Sequence, residues 1–208
     1  MTTRRPGLRE QKKQATRQAL REAALRLALE HGPENVRVDD IAEAAGVSPR
    51  TYNNYFSSRE QAIVAAVTAD REARVAAAIA ARPDVGVAQA VVDAVVEQYT
   101  DPGEDHRDAL LLITTHPALR DAFVDTAGTI EHPLTDALTQ RLGDPHTARI
   151  LAASVAAAIR VTLDQWVQPS TTSGLVIPSG PLPDLLRTAL APLTPALDAA
   201  ERRARSPR

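Results

Sequence analysis

Residues 38–60, VDDIAEAAGVSPRTYNNYFSSRE, constrain the fold more than any other part of this 208-residue chain. Gly46 stands in the middle and supplies the permissive backbone that the end of a helix needs. Ser48 suits an N-cap, and Pro49 suits the first helical position because its missing N–H would have no helical partner there. Before the glycine, apolar residues recur at helical spacing at Val38, Ile41, Ala42 and Ala45. The stretch therefore predicts two short helices joined by a tight turn.

The second of these helices, predicted over residues 49–56, is crowded with groups that reach outward: Arg50, Thr51, Asn53, Asn54 and Tyr55. A helix, a glycine turn and a second helix with a polar face form the helix-turn-helix arrangement, whose second helix enters a DNA major groove. An ordinary helical hairpin with a solvated face is the alternative interpretation. Two aromatic residues of the helix are expected in the core, Tyr52 and Phe56, where they would pack with Val47, Ile41 and Leu20.

Residues 10–70 resemble the DNA-binding segment of the TetR family of transcriptional regulators. The residues that carry the resemblance are Ile41-Ala42, Ala45-Gly46-Val47-Ser48, Thr51, Tyr55-Phe56 and Arg59-Glu60, preceded by Thr16-Arg17, Ala23-Ala24 and Gly32. The resemblance implies a sequence-specific DNA-binding protein, most often a homodimeric repressor. This chain has Asn53-Asn54 where the family often has two tyrosines, so the base preference of relatives cannot be carried over.

Phosphate contacts are expected to supply most of the affinity for DNA, and the resemblance implies where they lie. Thr16 and Arg17 on the first helix, Tyr55 on the second helix of the motif and Arg59 at the start of the next helix are placed near the backbone. Arg59 stands where the family usually has lysine. Arg37 replaces a frequent threonine, and it either contacts a phosphate or stays solvated.

Base reading is expected from Arg50, Thr51, Asn53 and Asn54, because arginine pairs with guanine, asparagine with adenine, and the threonine methyl group touches thymine. A flexible basic arm at Arg4 and Arg5 is a further candidate for a minor groove. The complete predicted DNA-binding set is Thr16, Arg17, Arg37, Ser48, Pro49, Arg50, Thr51, Asn53, Asn54, Tyr55 and Arg59.

Charge is unevenly distributed along the chain. The first 26 residues hold eight basic and two acidic residues, a net charge of +6, whereas the whole chain has −2, so the remainder carries −8. A basic end on an acidic body is expected if the N-terminal part meets phosphates. A solvated helix face is the alternative for any single basic residue.

Composition and hydropathy place the chain among soluble proteins. It has no cysteine, so we expect no disulfide and no thiolate metal site, and no cofactor or metal is indicated. The basic N-terminus is followed by no apolar segment and does not resemble a signal peptide. Apolar stretches such as residues 150–159 are too short to span a bilayer. A cytoplasmic protein without a membrane partner is expected.

No segment alternates with period two over a convincing length, so the sequence predicts an all-α fold of about nine helices. We expect an N-terminal helix-turn-helix DNA-binding domain over residues 1–60 and a helical effector-binding and dimerisation domain over residues 61–208. Three local expectations follow. A long helix should run from Ser58 to Ala81 behind a capping box of Ser57 and Glu60, Pro133 should kink or split a helix over residues 118–142, and a last helix should cover residues 184–203.

The second domain resembles, from Leu110 to Trp166, the C-terminal domain named after the mycofactocin-system regulator. That resemblance implies a small apolar effector such as an acyl thioester. Candidate pocket residues are Tyr99, His116, Phe123 and Trp166, although each is a core residue in the alternative interpretation. Alanines at helices 145–167 and 184–203 favour a dimer interface, since small side chains let helices approach closely, unless these alanines pack within one subunit.

Two other classes of function are alternatives. For an enzyme the sequence holds no HExxH, no G-x-S-x-G, no P-loop and no Rossmann glycine pattern, and the five histidines lack ligand spacing. The second alternative is a constitutive DNA-binding or scaffolding protein without an effector, and only a ligand-dependent change in DNA affinity separates it from a regulator. Repressor and activator are both open, although the resemblance implies a family of mostly repressors.

Overall fold

The computed structural model describes residues 8–68, 71–100, 107–167 and 180–205. Every regular element in these parts is helical, which confirms the predicted all-α fold. The α-helices are α1 (Leu8–His31), α2 (Val38–Ala44), α3 (Pro49–Tyr52), α4 (Arg59–Thr68), α5 (Arg71–Ala80), α6 (Val87–Thr100), α7 (Arg107–Thr115), α8 (Pro117–Asp125), α9 (Glu131–Leu142), α10 (Pro145–Val167), α11 (Leu182–Leu190) and α12 (Thr194–Arg205). The predicted long helices correspond to α4 with α5, α8 with α9 and α11 with α12, and counting each of these pairs once gives nine helices across the described residues, as predicted.

The chain divides into two compact units. The first comprises Met1–Thr68 and Asp108–Ala122, and the second comprises Ala69–Arg107 and Phe123–Arg208. The first unit therefore extends past residue 60 and takes in a segment that the sequence analysis assigned to the C-terminal domain. The domain boundary at residue 60 stays a prediction.

The core of the first unit is built from α1, α2, α3 and α4, which pack on one another in that part of the chain. The side chains predicted to hold the helix-turn-helix motif are indeed buried: Leu20, Ile41 and Tyr52 are fully buried, and Phe56 is 2% exposed. Val47 is half-buried at the turn between α2 and α3. A short 3-10 turn, Pro33–Asn35, joins α1 to α2.

The capping prediction at the start of α4 was displaced by one residue. Ser58, not Ser57, is the N-cap, because its Oγ accepts a hydrogen bond from the backbone N–H of Gln61 at 3.1 Å. The side chain of Gln61 reaches back and accepts from the backbone N–H of Ser57 at 2.8 Å. The predicted partner Glu60 instead accepts from Arg59 Nε at 2.7 Å. The motif is thus a serine cap closed by a glutamine three residues later.

Two other boundaries differ from the predictions for a common reason, the tolerance of proline within the first turn of a helix. The helix expected over residues 118–142 is split as predicted, but the break is the 3-10 turn Thr126–Ile130, and Pro133 lies in the first turn of α9. The last helix begins earlier than expected, with Pro183 in the first turn of α11, and breaks at Ala191–Leu193. Residues 69–70, within the helix predicted from Ser58 to Ala81, lie outside the described residues.

The second unit is built around α10, which packs on α9 and α11, while α6 packs on α5 and α11. With 23 residues and a mean hydropathy of 1.4 in its most apolar part, α10 is long and apolar enough to cross a membrane by length and composition alone. Its apolar side chains Leu151, Val155, Ile159 and Leu163 are, however, buried in the second unit. The core helix of a soluble protein has the same properties.

Arg141 on α9 ties three parts of the second unit together. Its Nη1 donates to the carbonyl oxygen of Arg82 at 3.0 Å, and its Nη2 donates to that of Val85 at 2.6 Å. Nη2 also lies 3.5 Å from Glu201 Oε1 on α12, where only 14% and 12% of the two side chains are exposed. Glu201 Oε2 accepts from the first N–H of α6, at Val87. One guanidinium therefore donates hydrogen bonds to two carbonyl oxygens in the segment after α5 and pairs with a largely buried carboxylate on α12.

We expect Arg141→Met to lower the free energy of unfolding by about 3 kcal/mol, since it leaves buried carbonyls and the Glu201 carboxylate without this donor. The matched control is Arg187→Met, which removes an exposed pair with Asp184 on α11. That change should cost less than about 0.5 kcal/mol. Urea unfolding followed by circular dichroism measures both, and equal losses would contradict a bracing role for Arg141.

Candidate DNA-binding surface and effector site

The turn before α3 has the geometry that the sequence requires. Gly46 adopts φ 69°, the left-handed region that side chains disfavour. Ser48 is the N-cap of α3, as predicted, and its Oγ accepts from the backbone N–H of Thr51 at 3.2 Å. The two hydroxyl oxygens of Ser48 and Thr51 also lie 2.9 Å apart, within hydrogen-bonding distance. Two predicted DNA-binding residues, Ser48 and Thr51, therefore cap the N-terminus of α3, the recognition helix of the predicted motif.

The α-helical part of α3 is shorter than predicted. It ends at Tyr52, and the chain continues to Phe56 through hydrogen bonds such as Asn54 N to Thr51 O at 3.1 Å and Tyr55 N to Tyr52 O at 2.8 Å. These bonds span three residues, as in a 3-10 turn, so the helical path is tightened rather than abandoned. The predicted DNA-contact residues Asn53, Asn54 and Tyr55 therefore lie in one short helical segment, residues 49–56, which we call the platform.

Two aromatic side chains anchor this platform from below. The Tyr52 hydroxyl donates to the carbonyl oxygen of Ser58 at 2.7 Å, and the ring packs against Phe56 with centroids 5.9 Å apart. Burial, followed by the charge of Glu60, raises the pKa of Tyr52 to about 12. The hydroxyl is therefore a permanent donor at physiological pH, and it links the recognition helix to the start of α4.

The opposite face of α3 is open. Arg50, Asn53 and Asn54 are exposed, together with Pro49 at the first helical position, and Tyr55 is half-buried beside them. Arginine and asparagine carry the paired donors and acceptors that discriminate bases in a major groove. The structure thus brings Arg50, Asn53 and Asn54 together on one exposed edge, whereas Thr51, also predicted to read bases, is half-buried next to Ser48.

Arg17 of α1 lies beside this platform within the first unit. Its guanidinium carbon is 5.5 Å from the centroid of the Phe56 ring, a cation–π contact that leaves the side chain exposed. Thr16 is half-buried, and its hydroxyl donates to the Lys12 carbonyl at 3.0 Å. The ring that supports the recognition helix also positions a predicted phosphate-binding cation. Arg4 and Arg5 lie outside the described residues.

Arg59 is engaged inside the first unit to a degree that the sequence did not indicate. Its Nη1 donates to the carbonyl oxygens of Glu34 and Val36 at 3.0 and 2.8 Å, and its Nε donates to Glu60. Burial raises the pKa of Glu60, but the hydrogen bonds from Arg59, from the backbone N–H of Glu60 and from Ser58, together with the charge of Arg59, outweigh burial, so the pKa of Glu60 is lowered. Arg59 therefore joins the loop after α1 to the start of α4, and its predicted contact with a phosphate must be made from this braced position.

Arg37 occupies the N-cap position of α2 without a side-chain cap of its own. Arg37 has no hydroxyl that could cap α2. The reciprocal hydrogen bond of a capping box is present instead, because the Asp40 carboxylate accepts from the backbone N–H of Arg37 at 3.1 Å. Half of a capping box is thus retained. The exposed guanidinium of Arg37 is left available for a phosphate or for solvent.

Two of the predicted pocket residues, Tyr99 and Phe123, form a buried cluster with Arg71 in the second unit. The guanidinium carbon of Arg71, at the start of α5, lies 4.4 Å from the ring centroid of Tyr99 and 5.4 Å from that of Phe123. Arg71 is 4% exposed, Tyr99 7% and Phe123 3%. Burial raises the pKa of Tyr99 to about 12, so its hydroxyl is neutral at physiological pH.

The other two predicted pocket residues are placed differently. His116 belongs to the first unit, where its Nδ1 lies 2.9 Å from the Leu112 carbonyl oxygen and its Nε2 lies 3.8 Å from a carboxylate oxygen of Glu34. The structure therefore does not group His116 with Tyr99 and Phe123. Trp166 is half-buried on α10 of the second unit.

Comparison with known proteins assigns both parts of the chain to described families. Residues 20–66 match the family model "Bacterial regulatory proteins, tetR family", and residues 81–198 match "MftR C-terminal domain". A regulator named TcmR from Streptomyces glaucescens is 30% identical over 175 residues, which cover 77% of each chain. The chain belongs to the TetR family of transcriptional regulators. It is a DNA-binding regulator and not an enzyme, as the sequence predicted.

Two further relatives are similar over different lengths. The regulator BetI of Rhizobium meliloti is 43% identical over 51 residues, 24% of this chain and 25% of its own length. The solved structure of the fatty acid degradation regulator FadR from Bacillus halodurans is 17% identical, with a TM-score of 0.44, over 92% of this TetR-family chain and 97% of its own.

Sequence reasoning missed the burial of Arg71, although a signal for it exists. Arg71 precedes Val75 and Ile79 at intervals of four, and both of these side chains are fully buried. Residues at such spacing share one helix face, so an arginine in the register of two core residues is expected to face the core. The bracing role of Arg59 had no comparable signal, because it depends on carbonyl groups more than 20 residues away.

For this TetR-family protein we expect Arg50→Ala and Arg17→Ala to weaken DNA binding in different ways. Losing Arg50 should cost about 1–3 kcal/mol for each half-site on specific DNA and relax the base preference, since it removes a base-reading group. Losing Arg17 should weaken all DNA alike and lower the slope of log affinity against log salt by about 1 for each contact.

Fluorescence anisotropy with an operator duplex and a scrambled duplex over a salt series measures both changes. Equal losses on the two duplexes for Arg50→Ala would remove Arg50 from the base-reading set. An unchanged salt slope for Arg17→Ala would place its guanidinium away from the phosphates.

Proposed function

We propose that this TetR-family regulator is a homodimeric repressor that binds a near-palindromic operator and is released from it by a small apolar effector. Two recognition helices, one from each subunit, would enter successive major grooves about 34–36 Å apart or a multiple of that spacing. The predicted DNA-binding residues carry base reading and phosphate contacts. A cytoplasmic location is part of this proposal.

The observation that supports DNA reading most directly is the two-sided construction of α3. Its inner side is fixed by the buried Tyr52 and its hydrogen bond to Ser58, while Arg50, Asn53 and Asn54 are exposed on the outside. A base-reading group must be held on a rigid support to discriminate, because a mobile side chain contacts wrong bases as readily as right ones. A merely solvated hairpin needs no such support.

Dimerisation is supported by an apolar stripe on α10. Ile150 and Val161 are 54% and 57% exposed, and Ala153 and Ala157 lie between them at intervals of three and four residues on the same helix face. Ala152 and Ala156, in contrast, are buried within the second unit, so the alternative interpretation holds for those two alanines. On the C-terminal helices, Ala189 is half-buried and Ala196 is exposed. We propose that α10 packs with α11 and α12 across the subunit interface.

The effector is proposed to bind in the second unit near Tyr99 and Phe123, with Trp166 as a further candidate. We take its chemical class, an acyl thioester or another apolar molecule, from the resemblance of the C-terminal part. Release requires that the effector bind one conformation of the dimer more tightly than the DNA-binding one. A protein that binds DNA equally with and without any effector, or that activates transcription, is the alternative.

The decisive experiment is anisotropy of the purified protein with DNA taken from immediately beside its own gene, across a salt series. We expect binding that is tighter than to a scrambled duplex and steeply salt-dependent. Octanoyl-coenzyme A and other apolar compounds are then screened for release of the duplex. Binding no tighter than to the scramble would refute an operator at that locus, and constant affinity throughout the screen would favour the effector-independent alternative.

The interface is tested with Val161→Glu and Ile150→Glu, since a buried carboxylate without a partner costs several kcal/mol. We expect the wild type to elute as a dimer, twice the chain mass of 22.3 kDa, and each variant to dissociate at micromolar concentration. The matched control is Leu111→Glu, because Leu111 is 64% exposed on α7, outside the proposed interface. Light scattering coupled to gel filtration gives the masses. If both variants remain dimeric at every concentration, this face of α10 is not the dimer interface.

A further inference from the structure

The guanidinium of Arg71 is the most anomalous polar group among the described residues. Its Nε and Nη1 are buried and have no hydrogen-bond partner, and these are the unpartnered buried side-chain nitrogens of the described parts of the chain. Native structures pair the great majority of such atoms, so each exception requires an explanation. The site lies at the beginning of the second unit, in the cluster with Tyr99 and Phe123.

The two aromatic rings only partly compensate for this burial. A cation–π contact is worth about 0.5–2 kcal/mol, whereas the effective cost of removing a cation from water is several kcal/mol. Deprotonation offers no escape, because arginine stays charged in proteins even where burial, as at Arg71, lowers its pKa. The cluster therefore holds a positive charge that its own side chains do not fully balance.

Among the residues that the structure describes, the neighbouring ionisable groups do not supply the missing partner. Tyr99 is neutral, since its pKa is raised to about 12. Glu72 attracts Arg71 through its charge, but its carboxylate accepts from the Thr129 hydroxyl at 2.6 Å and does not reach Nε or Nη1. Arg74 adds a second positive charge on the same helix, and its Nε donates to Gln98. The charges of these described side chains thus favour an added anion beside Arg71.

We infer that Arg71 is the binding residue for the carboxylate of a small organic acid, whose carbon skeleton packs against Tyr99 and Phe123. The inference rests on the effector response proposed above and specifies the chemistry of the effector at that site. The two free donors would bond the carboxylate oxygens, and the rings would cover the adjoining carbon atoms.

Charge and shape favour a carboxylate over other anions. One guanidinium balances one negative charge, so a monoanion enters without leaving a net charge buried. A phosphate monoester carries up to two charges at neutral pH and is held by more donors than this cluster offers. The flanking rings are apolar and planar, and they favour an apolar or aromatic skeleton next to the carboxylate.

The test compares carboxylates with their uncharged primary amides, which have nearly the same shape. The pairs are octanoate with octanamide, decanoate with decanamide, and benzoate with benzamide. The thermal midpoint Tm is followed by circular dichroism without DNA. We expect at least one carboxylate to raise Tm by about 5–10 °C at about 100 times its Kd, and its amide to have no such effect.

The second part of the test repeats the Tm measurement on Arg71→Met. The matched control is Arg74→Met, on the exposed side of α5. Arg71→Met should abolish the carboxylate-dependent rise, and Arg74→Met should retain it. Without ligand, Arg71→Met should have a Tm equal to or above that of the wild type, because an apolar side chain of similar length removes an uncompensated charge.

Three outcomes would overturn the inference. No carboxylate stabilises the wild type more than its amide does; or the stabilisation persists in Arg71→Met; or the ligand-free Tm of Arg71→Met falls by more than about 5 °C, which would show that Arg71 is already satisfied in the free protein. If a compound of the effector screen releases operator DNA while any one of these three outcomes is found, the proposed function stands and only this inference fails.

Discussion

The orientation of α3 depends on the burial of Tyr52, and the proposed DNA-binding surface depends on that orientation. A four-residue α-helix has no stability of its own in water, since a single turn cannot repay its nucleation. Its place in the fold comes from a buried ring, a hydroxyl that donates to Ser58, and the neighbouring Phe56. Removing the hydroxyl would leave the Ser58 carbonyl short of a donor and loosen the link between α3 and α4. The proposed recognition of DNA bases would therefore depend on the buried residues that hold α3 as well as on its exposed polar side chains.

The presence of arginine at position 59 has consequences that a lysine would not have. A guanidinium offers five N–H donors in a planar arrangement, so Arg59 bonds two carbonyl oxygens and a carboxylate at once. A lysine ammonium is a compact point charge on a flexible stem and holds such a set less firmly. The loop after α1 is thereby fixed against the start of α4. The same charge would still contribute to the positive potential that DNA phosphates meet if Arg59 lies near them as predicted.

Much of the fold was predictable because local signals agreed with one another. Gly46, Ser48 and Pro49 each favour one backbone conformation, and together they place the turn and the start of α3. Prediction was less accurate where several interpretations were locally equivalent. Two adjacent serines made the cap of α4 ambiguous, and the outcome depended on which backbone N–H the longer Gln61 side chain reaches.

Features that depend on distant parts of the chain were not predictable from local pattern. Arg141 bonds carbonyls more than 50 residues away, and no spacing rule connects them. Tyr99 and Phe123 are predicted pocket residues, but no local pattern places a buried arginine beside both. His116 is predicted together with them, and the fold places it in the other unit. Tertiary assignment of scattered residues requires the packing itself.

Arg71 and Arg141 are both largely buried in the second unit, and the contrast between them bears on regulation. Arg141 finds carbonyl and carboxylate partners, so its burial stabilises one arrangement of α5, α9 and α12. Arg71 retains two free donors, so the conformation that buries it is less stable than it would be with an anion present. Shifting a two-state equilibrium from 1:99 to 99:1 requires about 5.5 kcal/mol of differential binding, and satisfying a buried charge is worth about 3–5 kcal/mol. Arg71 follows Thr68, the last residue of the first segment of the first unit, by three residues. If an anion binds Arg71 as inferred above, it would supply a large part of the free energy that an effector needs to change DNA affinity.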